Sequence, residues 1–209
     1  MTTFYLIRHG KTELNKKTCF QGGGIDSPLL SEGIEQAVKL GQYLSKTTFA
    51  AAAVSTQKRA MDTANYILTE NQYVNDLTVQ YYDELKELGF GEREGIEVDI
   101  ADQQTNYLRQ RPDLYNPSEF NGETYDSLIK RGMSMVERLS TDYPDGNVLI
   151  VAHGVLLLVL INYLMGEEKR NWRKNGPLEN TSVTVIHKEQ GNCILETFND
   201  VSYLEEQLP

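Results

Sequence analysis

The segment Asn147-Val148-Leu149-Ile150-Val151-Ala152 constrains the fold more than any other stretch of this chain. Five apolar residues in a row leave no polar face for water, so a strand here needs cover on both sides. The run Phe4-Tyr5-Leu6-Ile7 and the small apolar residues of 50–55 read as two more buried strands. Helical spacing follows each of these. Ile34, Ala37, Val38, Gly41 and Leu44 predict an amphipathic helix over 32–46, with Ser31 in place to cap it, and Ala60, Ala64 and Ile67 predict a second over 59–68. Residues 77–82 alternate and are rich in β-formers, giving a third strand. Residues 155–165 predict a helix packed on the sheet, and 182–188 with 193–198 flank Glu189-Gln190-Gly191-Asn192 as a terminal hairpin. Strands alternating with helices imply an α/β fold: a three-layer α/β/α sandwich with a mostly parallel sheet and helices on both faces.

A chain of 209 residues fits one domain, 1–209, with two helical stretches in 96–145 forming an excursion over the active site. At 40% hydrophobic and 24% charged, it can bury a core without disulfides or a structural metal. Cys19 and Cys193 lack metal-ligand spacing and read as free thiols in a reducing compartment. The net charge of −10 counts against nucleic acid or an anionic membrane as partner, while a local arginine cluster can still hold a small anion. No signal-peptide pattern opens the sequence, and its longest later apolar run is far shorter than a membrane span. The expectation is a cytoplasmic protein, monomer or homodimer.

Two His-Gly dipeptides, His9-Gly10 and His153-Gly154, each end an apolar strand. Ligands in open α/β sheets bind beyond the carboxyl ends of strands, so neighbouring strands would bring both imidazoles to one place. The chain has 3 histidines and two share this placement; His187, inside the hairpin, has no such context. Arg8 offers a planar fork of donors suited to phosphoryl oxygens. Thr12 and Asn15 can donate from the following turn, and Arg59 stands near a helix start just past a strand end. Five carboxylates lie between Asp83 and Glu94, and the residues alone do not choose among them.

The stretch Arg8-His9-Gly10-Lys11-Thr12-Glu13-Leu14-Asn15 resembles the signature of the histidine phosphatase superfamily, the phosphoglycerate mutase-like enzymes. The resemblance continues in order through Gln21-Gly22, Asp26-Ser27-Pro28-Leu29, Ser55 with Arg59-Ala60, Leu85-Lys86-Glu87, Gly122-Glu123-Thr124 and Val151-Ala152-His153-Gly154, and so covers nearly the whole chain. It implies that neutral His9 attacks phosphorus and becomes phosphohistidine. It implies further that Arg8, Arg59 and a protonated His153 stabilise the phosphoryl oxygens without metal or other cofactor. Glu87 matches the proton donor, Gln21, Gly22 and Gly154 match substrate-binding positions, and Glu123 matches a position that supports the arginine cluster. Departures from the family pattern include Lys11, Leu30, Arg93 and the glycine-rich Gly22-Gly23-Gly24-Ile25, which suggests a mobile, loose lid.

The chain is most similar to the family's bacterial broad-specificity phosphatases, which implies hydrolysis of small phosphomonoesters. The alternatives are a 2,3-bisphosphoglycerate-dependent phosphoglycerate mutase and a non-catalytic phospholigand-binding module. Against the mutase stand Val155 after His153-Gly154, the short covering segment, and Arg109 and Arg111 separated by Gln110 rather than an adjacent arginine pair. Binding alone would need neither His9 nor Glu87.

Overall fold

The computed structural model describes residues 1–205; residues 206–209 of the expected domain lie outside the described residues. Six strands form one sheet: β1 (Thr2–Arg8), β2 (Ala51–Ser55), β3 (Thr78–Tyr82), β4 (Asn147–Ala152), β5 (Val183–Glu189) and β6 (Asn192–Asp200), in the spatial order β3-β2-β4-β1-β5-β6. The pairs β1·β4, β2·β4 and β2·β3 are parallel, and the hairpin adds the antiparallel pairs β1·β5 and β5·β6. The hairpin closes through Gln190 (φ 48) and Gly191 (φ 86), two consecutive left-handed residues whose twist suits a two-residue turn.

The central strands show why their sequences carry no polar alternation. Val148, Ile150 and Ala152 face one core with α5 (Tyr125–Asp142) and α6 (Gly154–Leu164); Leu149 and Val151 face a second core with α2 (Ser31–Tyr43) and α3 (Lys58–Thr69). Both faces of β4 are therefore dry. Helix α6 is apolar on nearly every side, because it lies between the sheet and α5. Gly132 of α5 allows that approach: a Cβ there would stand 3.3 Å from Leu156 Cδ1.

Two boundaries differ from the sequence expectation. Helix α2 ends at Tyr43, and its buried stripe is Gly33, Ala37, Leu40 and Gly41. Ser31 is its first residue rather than its cap; Leu30 holds the cap position with no side-chain bond to offer. Within 96–145, α4 (Gln103–Gln110) stands off the sheet, capped by Asp102, whose side chain accepts from Thr105 N–H. Helix α5 instead buries Leu128, Met135, Val136 and Leu139 in the sheet's own core.

The connections set the position of the site. After β1 the chain passes to α2 on one face, and after β4 to α6 on the other. Parallel neighbours whose connections leave to opposite faces open a crevice at their carboxyl ends. His9 and His153 stand there.

Candidate active site

His9 N–H donates to Ala152 O (2.9 Å), which fixes the two strand ends side by side, and the His9 and His153 ring centroids lie 5.2 Å apart. Both rings are buried, yet they are wired differently. His9 Nδ1 lies 2.7 Å from Gly10 O; a carbonyl can only accept, so Nδ1 carries the proton and Nε2 presents a lone pair. His153 uses Nε2, 2.8 Å from Ser55 Oγ, and its Nδ1 is buried with no protein partner. Burial first, then the charges of Arg59 and Arg8, hold His9 well below the ordinary histidine value. Burial, Arg59 and His9 do the same to His153. Burial and the neighbouring cations thus work against the protonated His153 that the resemblance implies.

Arg59, 1% exposed, sits at the start of α3. Its Nη1 donates to Ile25 O (2.9 Å) and Asp26 Oδ1 (3.1 Å), and its Nη2 to Gly22 O (3.2 Å). That engages three of the five guanidinium N–H groups and leaves two, among them the buried, unpartnered Nε. The stretch Gly22-Gly23-Gly24-Ile25 is thus a strap pinned to Arg59 and not the loose lid expected. Gln57 Nε2 also donates to Gly22 O (2.8 Å), Gly24 N–H donates to Glu94, and a Cβ on Gly22 would stand 2.6 Å from Leu88 O. Glycine is required here by close approach rather than by mobility.

Arg8 donates through Nη1 to Leu178 O, and its Nε is buried without a partner. A Cβ at Gly154 would be 3.1 Å from that Nε in ideal geometry, so this glycine lets α6 begin against the guanidinium. Thr12 and Asn15 are bonded to one another. Thr12 caps the short helix α1 (Glu13–Lys16) in a reciprocal box with Asn15, and its buried hydroxyl lies 2.8 Å from Gln21 Oε1. Gln21 keeps its buried Nε2 without a protein partner. Thr63 accepts from Gly10 N–H and donates to Arg59 O, while Asn180 Nδ2 donates to His9 O; together they tie the histidine's backbone to both sides of the crevice.

Glu87 is 6% exposed and rests on the first turn of α6. Its Oε1 accepts from Leu88 N–H (2.8 Å) and Leu156 N–H (3.0 Å), and its Oε2 from Val155 N–H (2.9 Å). The main chain is held from both sides. Gln57 Oε1 accepts from Glu87 N–H (2.9 Å), and Arg131 donates to the carbonyls of Glu84 (2.7 Å), Lys86 (2.5 Å) and Glu87 (3.1 Å). Glu123 grips Arg131 in a two-pronged pair (2.8 and 2.9 Å) and accepts from Gly89 N–H. It supports Arg131, not Arg8 or Arg59 as expected. Arg93 pairs with Asp102 and lies 4.0 Å from the Phe120 ring centre, anchoring the excursion.

A cavity of about 170 Å³ opens beside Glu87, with Arg8, Gln21 and Gly154 in its wall, and Phe20, Phe90, Leu108, Arg109 and Arg173 around them. Sequence reasoning missed Arg173, which no local pattern marks, and the roles of Ser55 and Gln57. Ser55 ends β2 and could have been found by the strand-end logic that picked out His9. The excursion indeed has no adjacent arginine pair, yet Arg109 shares this cavity with Arg173.

A family profile described as histidine phosphatase superfamily (branch 1) matches residues 4–201. The chain belongs to that superfamily. A solved structure described as Bacillus stearothermophilus YhfR superposes with a TM-score of 0.89 at 30% identity, covering 98% of this chain and 100% of that one. A metal-independent phosphoserine phosphatase of Arabidopsis thaliana is 31% identical over 210 residues, 98% of this chain and 84% of that one. The fructose-2,6-bisphosphatase TIGAR of Bos taurus is 34% identical over 141 residues, 66% of this chain; the match spans 52% of that longer protein. The family and these named enzymes define the class: a phosphatase, acting on phosphoric monoesters.

Proposed function

We propose that this phosphatase hydrolyses small phosphomonoesters in two steps through a phosphohistidine on His9. The observation that carries the reading is the His9 Nδ1–Gly10 O contact, which leaves Nε2 unprotonated within an arginine-lined crevice. In the first step the Nε2–P bond forms as the bond from phosphorus to the leaving oxygen breaks. Glu87 supplies the proton that oxygen takes up; its Oε2, with a single protein donor, is the oxygen placed to exchange it. In the second step water attacks phosphorus, Glu87 takes the water's proton, and the N–P bond breaks to release phosphate.

Arg8, Arg59 and His153 stabilise the phosphoryl oxygens. His153 does so as a neutral donor. In the tautomer that takes the Ser55 Oγ proton at Nε2, the ring's own proton is on Nδ1, the nitrogen without a partner. Gln21 Nε2 adds a further donor. The two arginines supply positive charge without a metal, so turnover should continue in EDTA.

Hydrolysis rather than the mutase reaction is favoured by the phosphatases among the relatives of matching length. Two cysteines that stand as free thiols support a cytoplasmic protein. Brief incubation with a radiolabelled phosphomonoester in EDTA, followed by acid and alkaline quench, tests the mechanism. Acid-labile, alkali-stable label should map to His9 and be absent from His9→Ala, which should also lose turnover while keeping its fold. Label on another residue, or turnover in that variant, would refute it.

A further inference from the structure

The chain has nine arginines. Five of them, Arg59, Arg93, Arg111, Arg131 and Arg138, each stand within ion-pair distance of a carboxylate. Among the described residues Arg8, Arg109, Arg170 and Arg173 do not, although acidic side chains outnumber basic ones by 30 to 20. Three of these four, Arg8, Arg109 and Arg173, line the single cavity beside Glu87. Arg8 belongs to the phosphate crevice. Arg109 and Arg173 lie farther out, and with Pro177 they also line a second, adjoining cavity of about 340 Å³.

Arg173 is built in rather than loosely solvated. Its Nη1 lies 3.3 Å from the hydroxyl of Tyr125, a side chain only 1% exposed, and that hydroxyl donates to Leu108 O (2.6 Å), so toward Arg173 it accepts. The Arg173 Nε is buried and has no acceptor in the protein. A buried guanidinium N–H with no acceptor is a donor waiting for one from outside the chain. Its neighbour Lys174 does not share this state, being paired with Glu167.

We infer that Arg173, with Arg109, forms a subsite for a second anionic group on the substrate, a carboxylate or a second phosphate carried by the leaving alcohol. The inference rests on the phosphatase reading above. Glu87 marks the leaving-oxygen side of the crevice, and the cavity it opens into is where the alcohol must extend. Phe20, Phe90 and Leu108 give that passage apolar walls, so an aliphatic or ring spacer would cross it before reaching the cations. An arginine fork that lacks an internal carboxylate selects for an external one.

The test uses three esters matched in length: n-propyl phosphate, 3-(phosphonooxy)propanoate and propane-1,3-diyl bisphosphate, with p-nitrophenyl phosphate as a control for turnover. The readout is kcat/KM for each charged ester divided by that for propyl phosphate. In the unaltered protein the ratio should be about 10 or more at low salt, the scale of one charge-assisted contact, for at least one charged ester. It should fall toward unity in Arg173→Gln and in the exposed Arg109→Gln, and recover in part in Arg173→Lys. The larger of the two ratios names the anion as carboxylate or phosphate. A ratio near unity in the unaltered protein, or one that neither substitution lowers, overturns the subsite while turnover of all esters leaves the phosphatase reading standing. No turnover of any ester, p-nitrophenyl phosphate included, overturns both.

Discussion

The floor and the outer wall of the crevice are built on opposite plans. The floor lies at the carboxyl ends of β1, β2 and β4, and other parts of the chain hold its groups in place while leaving free donors on Arg8, Arg59, Gln21 and His153. Thr63 holds Gly10, Asn180 holds the His9 carbonyl, Ser55 holds His153, and the 22–26 strap takes three of Arg59's N–H groups. The wall, made by α4 and the segment that includes Arg173, leaves Arg109 and Arg173 without carboxylates within ion-pair distance. A floor with fixed donors suits a phosphoryl group whose shape does not vary between substrates. A wall with open donors is where one substrate can be told from another.

The largest effect is expected at the floor. Arg59→Ala removes a transition-state donor and also unpins the strap, so it should lower kcat by about 10²–10³. The loss should be the same for every ester, because the floor meets only the phosphoryl group. Steady-state kinetics on esters with different alcohols checks this. A loss confined to one class of alcohol would place Arg59 in the wall.

A smaller effect is expected where floor and wall meet. Arg131 and Glu123 do not reach the crevice; they hold the main chain that carries Glu87. Arg131→Met should cost about 10-fold on alkyl phosphates, a fraction of what general acid catalysis provides. It should cost much less on p-nitrophenyl phosphate, whose leaving group departs without a proton. An equal loss on both, with an unaltered pH profile, would reduce the pair to a structural clamp.

The smallest effect concerns pH and separates the titrating floor from the non-titrating wall. Both floor histidines are depressed in the folded protein by burial and by neighbouring cations. Between that depressed value and about 6.5 the unfolded chain binds protons the folded chain does not, so stability rises with pH. The contribution is complete above the unfolded value and is lost as pH falls through the window. Each ring adds a slope of about 1.4 kcal/mol per pH unit there. Urea denaturation across that window should show the slope reduced by about this amount in His153→Gln. An unchanged slope would mean that His153 is not held neutral by the fold.

Much of this was legible in the sequence, for reasons tied to particular residues. Continuous apolar runs such as 148–152 occur only where both faces are covered, so the layered α/β plan follows from them. His-Gly at the ends of two such runs located the crevice, because strand ends are where open sheets bind ligands. Arg8, Arg59 and Glu87 followed once the ordered resemblance chose among many similar charges. Those inferences are local: strand period, strand end, residue type.

The remaining features depend on which groups meet across long separations in the chain. The setting of His153, its burial and its bond to Ser55 98 residues away, exists only in the fold. The glycines of 22–24 read as mobile because an isolated glycine is permissive, whereas here the backbones of Glu87 and Leu88 and the side chain of Glu94 crowd any Cβ. Glu123 acts through Arg131 on the carbonyls flanking Glu87, a route invisible until α5 packs beside that segment. Arg109 and Arg173 are sequentially unrelated and come to one cavity only because α4 and the chain after α6 fold over the same strand ends. Residue types and periods determine which groups a chain can offer; distance, burial and the partners already taken determine which of them remain available to a substrate.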